Sequence, residues 1–145
     1  MCYQPCTILC GGVPVPIETK AEDEFRLTAA QLKEKITSRT KLLILPFPNN
    51  PTGGIMTRQD LEEIAEVLKD TNILVLSDEI YAELTYGLKH VSIANIEGMK
   101  ERTIVVNGLS KSHAMTCLLY TSCTALLQNL LLPVRTKYHC FPQNY

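Results

Sequence analysis

Three uninterrupted apolar runs mark the chain, and stretches of helical period lie between them. Leu42 to Leu45 ahead of Pro46, Ile73 to Leu76 ahead of Ser77, and Ile104 to Val106 ahead of Asn107 are each of strand length. None alternates apolar with polar residues. A strand apolar throughout is buried on both faces, and such strands belong to parallel sheets covered by helices on each side. Thr57 precedes Leu61, Ile64, Ala65 and Leu68, an apolar stripe behind a capping residue. Thr28-Ala29-Ala30-Gln31 has the capping-box pattern and opens a second helix carrying Leu32 and Ile36. Thr7 to Cys10 and Val13 to Ile17 are short apolar pieces about Gly11-Gly12, read as a strand and its continuation. This order predicts an α/β fold: a partial, mostly parallel sheet flanked by helices.

Open parallel sheets bind ligands outside the carboxyl ends of their strands. Three polar blocks begin at or just after those ends: Asn49-Asn50-Pro51-Thr52-Gly53, Ser77-Asp78-Glu79-Ile80-Tyr81, and Asn107-Gly108-Leu109-Ser110-Lys111-Ser112. An amide, a carboxylate, a phenol and an amine therefore gather at one edge. The segment from Phe47 to Gly54, with two prolines and two glycines, is a shaped loop rather than a helix or central strand. Lysines are mostly solvated surface charges. Lys111, in a loop directly after a buried strand, can instead lose solvation, become nucleophilic and form an imine with a carbonyl. Asp78 closes a run of uncharged residues, where an unpaired carboxylate is costly; it is a cap, an ion-pair member or a ligand. A helical turn after Asp78 would put Tyr81 on the same side. Asn50 is biased to an extended conformation by Pro51, and its amide is free to serve the loop or a ligand. Ser110 either binds an anion or caps its loop. No carboxylate accompanies His113 in sequence, so it reads as a packed or exposed side chain.

Composition narrows the classes. The chain has 145 residues, 46% hydrophobic and 20% charged, as expected of one globular domain with a real core. A net charge of −1 gives no electrostatic case for nucleic acid or an anionic membrane. No apolar run approaches the roughly 20 residues that span a bilayer. The opening Met1-Cys2-Tyr3-Gln4-Pro5 lacks a basic region followed by an apolar stretch, so a cytoplasmic protein is expected. Cysteines at 2, 6, 10, 117, 123 and 140 form no Cys-x-x-Cys pair. They read as reduced thiols, with no metal site. No Gly-x-Gly-x-x-Gly follows a strand, which sets aside a dinucleotide-binding domain.

Together and in this order, the blocks resemble the class I/II, fold-type I pyridoxal-phosphate aminotransferases, in the aspartate/aromatic subgroup. Asn50-Pro51-Thr52-Gly53 looks like that family's cofactor loop. Asp78-x-x-Tyr81 looks like its ring-nitrogen and phenolic-oxygen partners, and Gly108-Leu109-Ser110-Lys111 with Ala114-Met115-Thr116 like its attachment signature. The resemblance implies that residues 1–116 are part of a pyridoxal-phosphate-binding large domain. It also implies Lys111 as the catalytic residue that holds the cofactor and shuttles a proton. Asn50, Asp78, Tyr81, Ser110 and Lys111 would be the cofactor-binding set. An amino acid and a 2-oxo acid would be the substrates, and a homodimer the full-length assembly.

The pattern breaks after Thr116. The family continues with a small residue, an aromatic and an arginine; here Cys117, Leu118 and Leu119 stand at those places. Leucine cannot replace an arginine's fork of donors to a phosphate. Residues 117–145 are therefore expected to be a divergent tail, from a shifted reading frame or an alternative terminus. Arg135 has no family context. Two other functions stay open at this level: a catalytically inactive, partner-binding fragment, and a related cofactor enzyme that cleaves a carbon–sulfur bond or closes a cyclopropane. Translation of the other frames beyond codon 116 should recover a Gly-aromatic-Arg sequence; frames without it contradict the shifted-frame origin.

Overall fold

The computed structural model describes residues 3–116. The chain divides into two compact units, Met1–Gly108 and Leu109–Tyr145. The expected divergent tail, 117–145, lies outside the described residues. The first unit contains helix α1 (Tyr3–Leu9), helix α2 (Ala29–Lys35), strand β1 (Leu42–Pro46), helix α3 (Arg58–Leu68), strand β2 (Leu74–Asp78) and strand β3 (Thr103–Val106). The described part of the second unit holds one helical turn, α4 (Leu109–Ser112). Among the described residues no helix is long and apolar enough to cross a membrane.

The sheet has the order β1-β2-β3, and both pairings are parallel. Both capping boxes form. Thr57 accepts from the backbone of Asp60 and the Asp60 side chain accepts in return; Thr28 and Gln31 do the same for α2. Arg26 adds a 3.1 Å ion pair to Asp60, tying the α2 approach to the start of α3. At the other end of α3, the carbonyl of Leu68 accepts from Thr71 Oγ1 at 2.8 Å and from the Arg102 guanidinium. A cation there complements the helix dipole and occupies a carbonyl with no intrahelical partner.

The stripe on α3 buries Leu61, Ile64 and Leu68 to 1% exposure or less, against Leu43, Leu45 and Val75 of the sheet and Leu32 of α2. This is the expected helix-on-sheet layer. The opposite sheet face departs from expectation. Leu42, Leu74 and Ile104 are 43%, 48% and 52% exposed, and no residue of β3 is buried. The runs are apolar on both faces, yet among the described residues helices cover only one.

The opening segment is a correction. Thr7 to Cys10, expected in a strand, lies across the end of α1, and Val13 to Ile17 forms no regular element. Gly11 takes φ +75, and the Gly11 and Gly12 N–H groups bond back to Ile8 and Thr7 carbonyls. The glycine pair is thus a helix stop rather than a strand turn. Pro5 is tolerated because it lies in the first turn, where its missing N–H has no intrahelical partner.

Two substitutions measure this core. Thr57→Ala should lower unfolding free energy by about 1 kcal/mol. Ile64→Ala should cost about 2–5 kcal/mol through lost burial and a residual cavity. Urea denaturation reads both, and a larger loss at Thr57 than at Ile64 contradicts this packing.

Candidate active site

The register sets the site. Pro46 at the end of β1 lies opposite Asp78 at the end of β2, and Asp78 opposite Val106 near the end of β3. From Pro46 the chain enters the loop to Gly54, which closes on itself. Asn49 N–H donates to the Gly54 carbonyl and Gly53 N–H to the Asn49 carbonyl, each at 2.9 Å. Gly53 takes φ +72, a left-handed conformation that a side chain would strain. The peptide bonds before Pro48 and Pro51 are cis.

The two asparagines divide the work. The Asn49 side chain serves the loop, donating to the Pro46 carbonyl at 3.4 Å and accepting from Thr52 Oγ1 at 3.1 Å. The Asn50 side chain is exposed and donates instead to Tyr81 Oη at 3.0 Å, across 31 positions. Loop-internal bonding, one role open to Asn50 from sequence, thus falls to its neighbour.

Asp78 is half-buried, and both its oxygens have partners. Oδ1 accepts from the Ile80 N–H at 3.2 Å, and Oδ2 accepts a short hydrogen bond from the Tyr3 phenol. Two turns follow, Ala82 N–H to the Glu79 carbonyl and Leu84 N–H to the Tyr81 carbonyl, each 2.9 Å. They bring Tyr81 to the same side as Asp78. Asn50, Asp78 and Tyr81 line one cavity of about 260 Å³, with Tyr3 also in its wall. A larger groove of about 450 Å³ runs between α2 and α3, but its charged groups, Lys33, Glu63 and Glu66, are exposed, and the two glutamates pair with neighbours in sequence, Gln59 and Lys69. The smaller cavity is the one with chemistry.

Sequence reasoning missed Tyr3. It reaches Asp78 across 75 positions, and only folding of α1 reveals the contact. Glu79 was also passed over. It is 5% exposed, and its Oε1 accepts from Ser77 Oγ at 2.9 Å and Ser92 Oγ at 2.6 Å. Its Oε2 lies 3.0 Å from His90 Nε2. A charge placed at the end of an apolar strand was the available signal.

In the second unit, Ser110 and Lys111 sit in α4, one helical turn where a loop was expected. Lys111 is exposed and Ser110 half-buried. Thr116 Oγ1 donates to the Ser110 carbonyl at 3.1 Å, and Ser112 Oγ lies 2.8 Å from His113 Nδ1.

Comparison with known proteins identifies the scaffold. The family described as aminotransferase class I and II matches residues 2–138. The aromatic-amino-acid aminotransferase 2 of Thermococcus litoralis is 49% identical over 115 residues, covering 79% of this chain and 30% of that protein. The aspartate aminotransferase of Pyrococcus abyssi is 50% identical over the same shares. The crystal structure of the aromatic aminotransferase of Pyrococcus horikoshii superposes with a TM-score of 0.76 at 50% identity, over 79% of this chain and 31% of that one. The chain thus spans about 30% of the length of these relatives.

Two carboxylates of the first unit make the fold acid-sensitive. Burial alone would raise the Glu79 carboxyl, but the adjacent His90 and hydrogen bonds from Ser92 and Ser77 outweigh it and hold the group below its ordinary value of 4.5. Burial is likewise outweighed at Asp60 by Thr57 and Arg26, which hold it below 3.8. A group depressed in the folded state adds stability that is complete above its unfolded pKa and lost as pH falls through the folded one. Stability should therefore fall below pH 4.5. Glu79→Gln should be less stable near neutrality and show a shallower acid decline; a decline as steep as the parent's contradicts the assignment.

Proposed function

The chain belongs to the class I and II aminotransferases, and from that membership we propose that it carries the cofactor edge of a pyridoxal-phosphate enzyme. The reaction proposed is transfer of an amino group from an amino acid to a 2-oxo acid. The observation that carries this reading is the convergence of Asn50, Asp78 and Tyr81 on one cavity at the carboxyl end of a parallel sheet.

The donor set fits the cofactor's ring. An ionised carboxylate has about four acceptor sites, and the two donors on Asp78 leave room for a protonated pyridine nitrogen. The Asn50 amide and the Tyr81 hydroxyl, 3.0 Å apart, offer two donors to one phenolic oxygen. Bound pyridoxal phosphate supplies an aldehyde that condenses with amines and a ring that draws in electrons.

The chain's residues then have separate tasks. Asp78 keeps the ring nitrogen protonated, through opposite charge at hydrogen-bond range. Asn50 and Tyr81 hold the phenolic oxygen and orient the ring. Lys111 Nζ would hold the cofactor and would move the proton at the substrate's α-carbon. Ser110 would donate to the phosphate. Ser110 and Lys111 enter this reading through their motif, Gly108-Leu109-Ser110-Lys111. The relatives named for aspartate and aromatic amino acids make those substrate classes the first to assay. A homodimeric, cytoplasmic parent enzyme belongs to the same proposal.

One observation favours a second reading, an inactive chain of the same family. Leu119 stands where the family's phosphate-binding arginine is expected. Spectroscopy separates the two. Pyridoxal phosphate added to the chain should give a new absorbance band that Lys111→Ala abolishes. Asp78→Asn should weaken binding about tenfold, for loss of a charge-assisted contact. A spectrum equal to free cofactor for parent and variants alike contradicts the enzyme reading and supports the inactive one.

A further inference from the structure

Glu79 stands between two of the proposed cofactor ligands and has no task in that reading. Its surroundings are nevertheless built with care. Ser77 Oγ and Ser92 Oγ both donate to Oε1, at 2.9 and 2.6 Å, and His90 Nε2 stands 3.0 Å from Oε2. The Glu79 N–H donates to the Val106 carbonyl at 2.8 Å, continuing β2 alongside β3 one residue beyond Asp78. The Glu79 carbonyl accepts from Ala82 N–H, so the turn that carries Tyr81 starts from the same residue.

Strand residues point alternately to opposite faces. Val75, Ser77 and Glu79 are buried, whereas Leu74, Leu76 and Asp78 are more open. Asp78 and Glu79 are therefore back to back. A twist of the strand end that turned Asp78 away from the cavity would also pull Glu79 out of its three contacts. Those contacts are anchored, because Ser92 caps the 3-10 turn Ile93–Asn95 and Ile93 is 1% exposed.

We propose that Glu79 is a positioning residue: gripped by Ser77, Ser92 and His90 on the buried side of β2, it sets the direction of Asp78 on the other side and of the turn bearing Tyr81. The proposal rests on the reading of Asp78 and Tyr81 as cofactor ligands. A purely stabilising ion cluster would lower stability when broken and leave the geometry at Tyr81 alone. Asp60 supplies the control: it is another partly buried carboxylate held by a threonine and a cation, and it does not line the cavity.

The experiment uses the full 145-residue chain labelled with carbon-13 at the tyrosine ring carbon that bears the hydroxyl. The Tyr81 resonance, assigned by Tyr81→Phe, reports the Asn50–Tyr81 contact without cofactor. The absorbance titration with pyridoxal phosphate reports affinity. Glu79→Gln and the milder Ser92→Ala should both shift the Tyr81 resonance, and Glu79→Gln should weaken cofactor binding about tenfold. Asp60→Asn, compared at equal loss of stability, should move neither. If Glu79→Gln does not fold, Ser92→Ala decides alone. A Tyr81 resonance unmoved in the folded variants, or moved as far by Asp60→Asn, overturns the proposal. A parent chain that binds no pyridoxal phosphate while Glu79→Gln and Ser92→Ala shift Tyr81 overturns the cofactor reading and supports the positioning role.

Discussion

Pro46, Asp78 and Val106 lie side by side across three parallel strands, and the site depends on that register. Because the ends are level, the loop after β1 and the turn after β2 start from neighbouring points, and Asn50 meets Tyr81 across 31 positions. Side chains on a strand alternate with period two, so a slip of one residue exchanges the faces. Here the exchange would bury Asp78 and put Glu79 in the cavity. The apolar contacts of Leu43, Leu45 and Val75 with α3 oppose that slip. The core that holds the sheet together thus also selects which carboxylate faces a ligand.

The same economy runs through the polar groups. One face of the β2 end carries a buried carboxylate that accepts from two serines and has His90 Nε2 3.0 Å from its other oxygen. The other carries a carboxylate with two donors and room for a third. The first is closed and structural in its contacts, the second open. In the loop, Asn49 satisfies the backbone and leaves Asn50 to Tyr81. Adjacent residues of the same type therefore do different work, and the difference comes from backbone geometry.

Much of this was legible in the sequence. The three strands follow from apolar runs ending in polar blocks, and α2 and α3 from Thr28 and Thr57 with their stripes. Asn50, Asp78 and Tyr81 were placed together because ligands gather where parallel strands end. What escaped was set by longer-range contacts. The end of helix α1, from Thr7 on, reads as a strand because a seven-residue helix that buries no residue leaves no periodic signature. Tyr3 could not be tied to Asp78 without knowing where that helix folds. Glu79 lies inside a motif whose other members carry the family resemblance, although a charge ending an apolar strand is itself a signal. The segment around Lys111 reads as a loop because Gly108 and two serines resist helix, yet four residues close a turn.

The central claim is that the edge formed by Asn50, Asp78 and Tyr81 recognises the pyridine ring of a vitamin B6 phosphate. Pyridoxamine 5'-phosphate tests it most directly, because it has the ring and phosphate but no aldehyde to react with surface lysines. Added to nitrogen-15-labelled chain, it should shift the amide signals of Asn50, Asp78, Ile80 and Tyr81 in a saturable way. Signals that stay unmoved there, or shifts confined to the α2–α3 groove, would contradict the account.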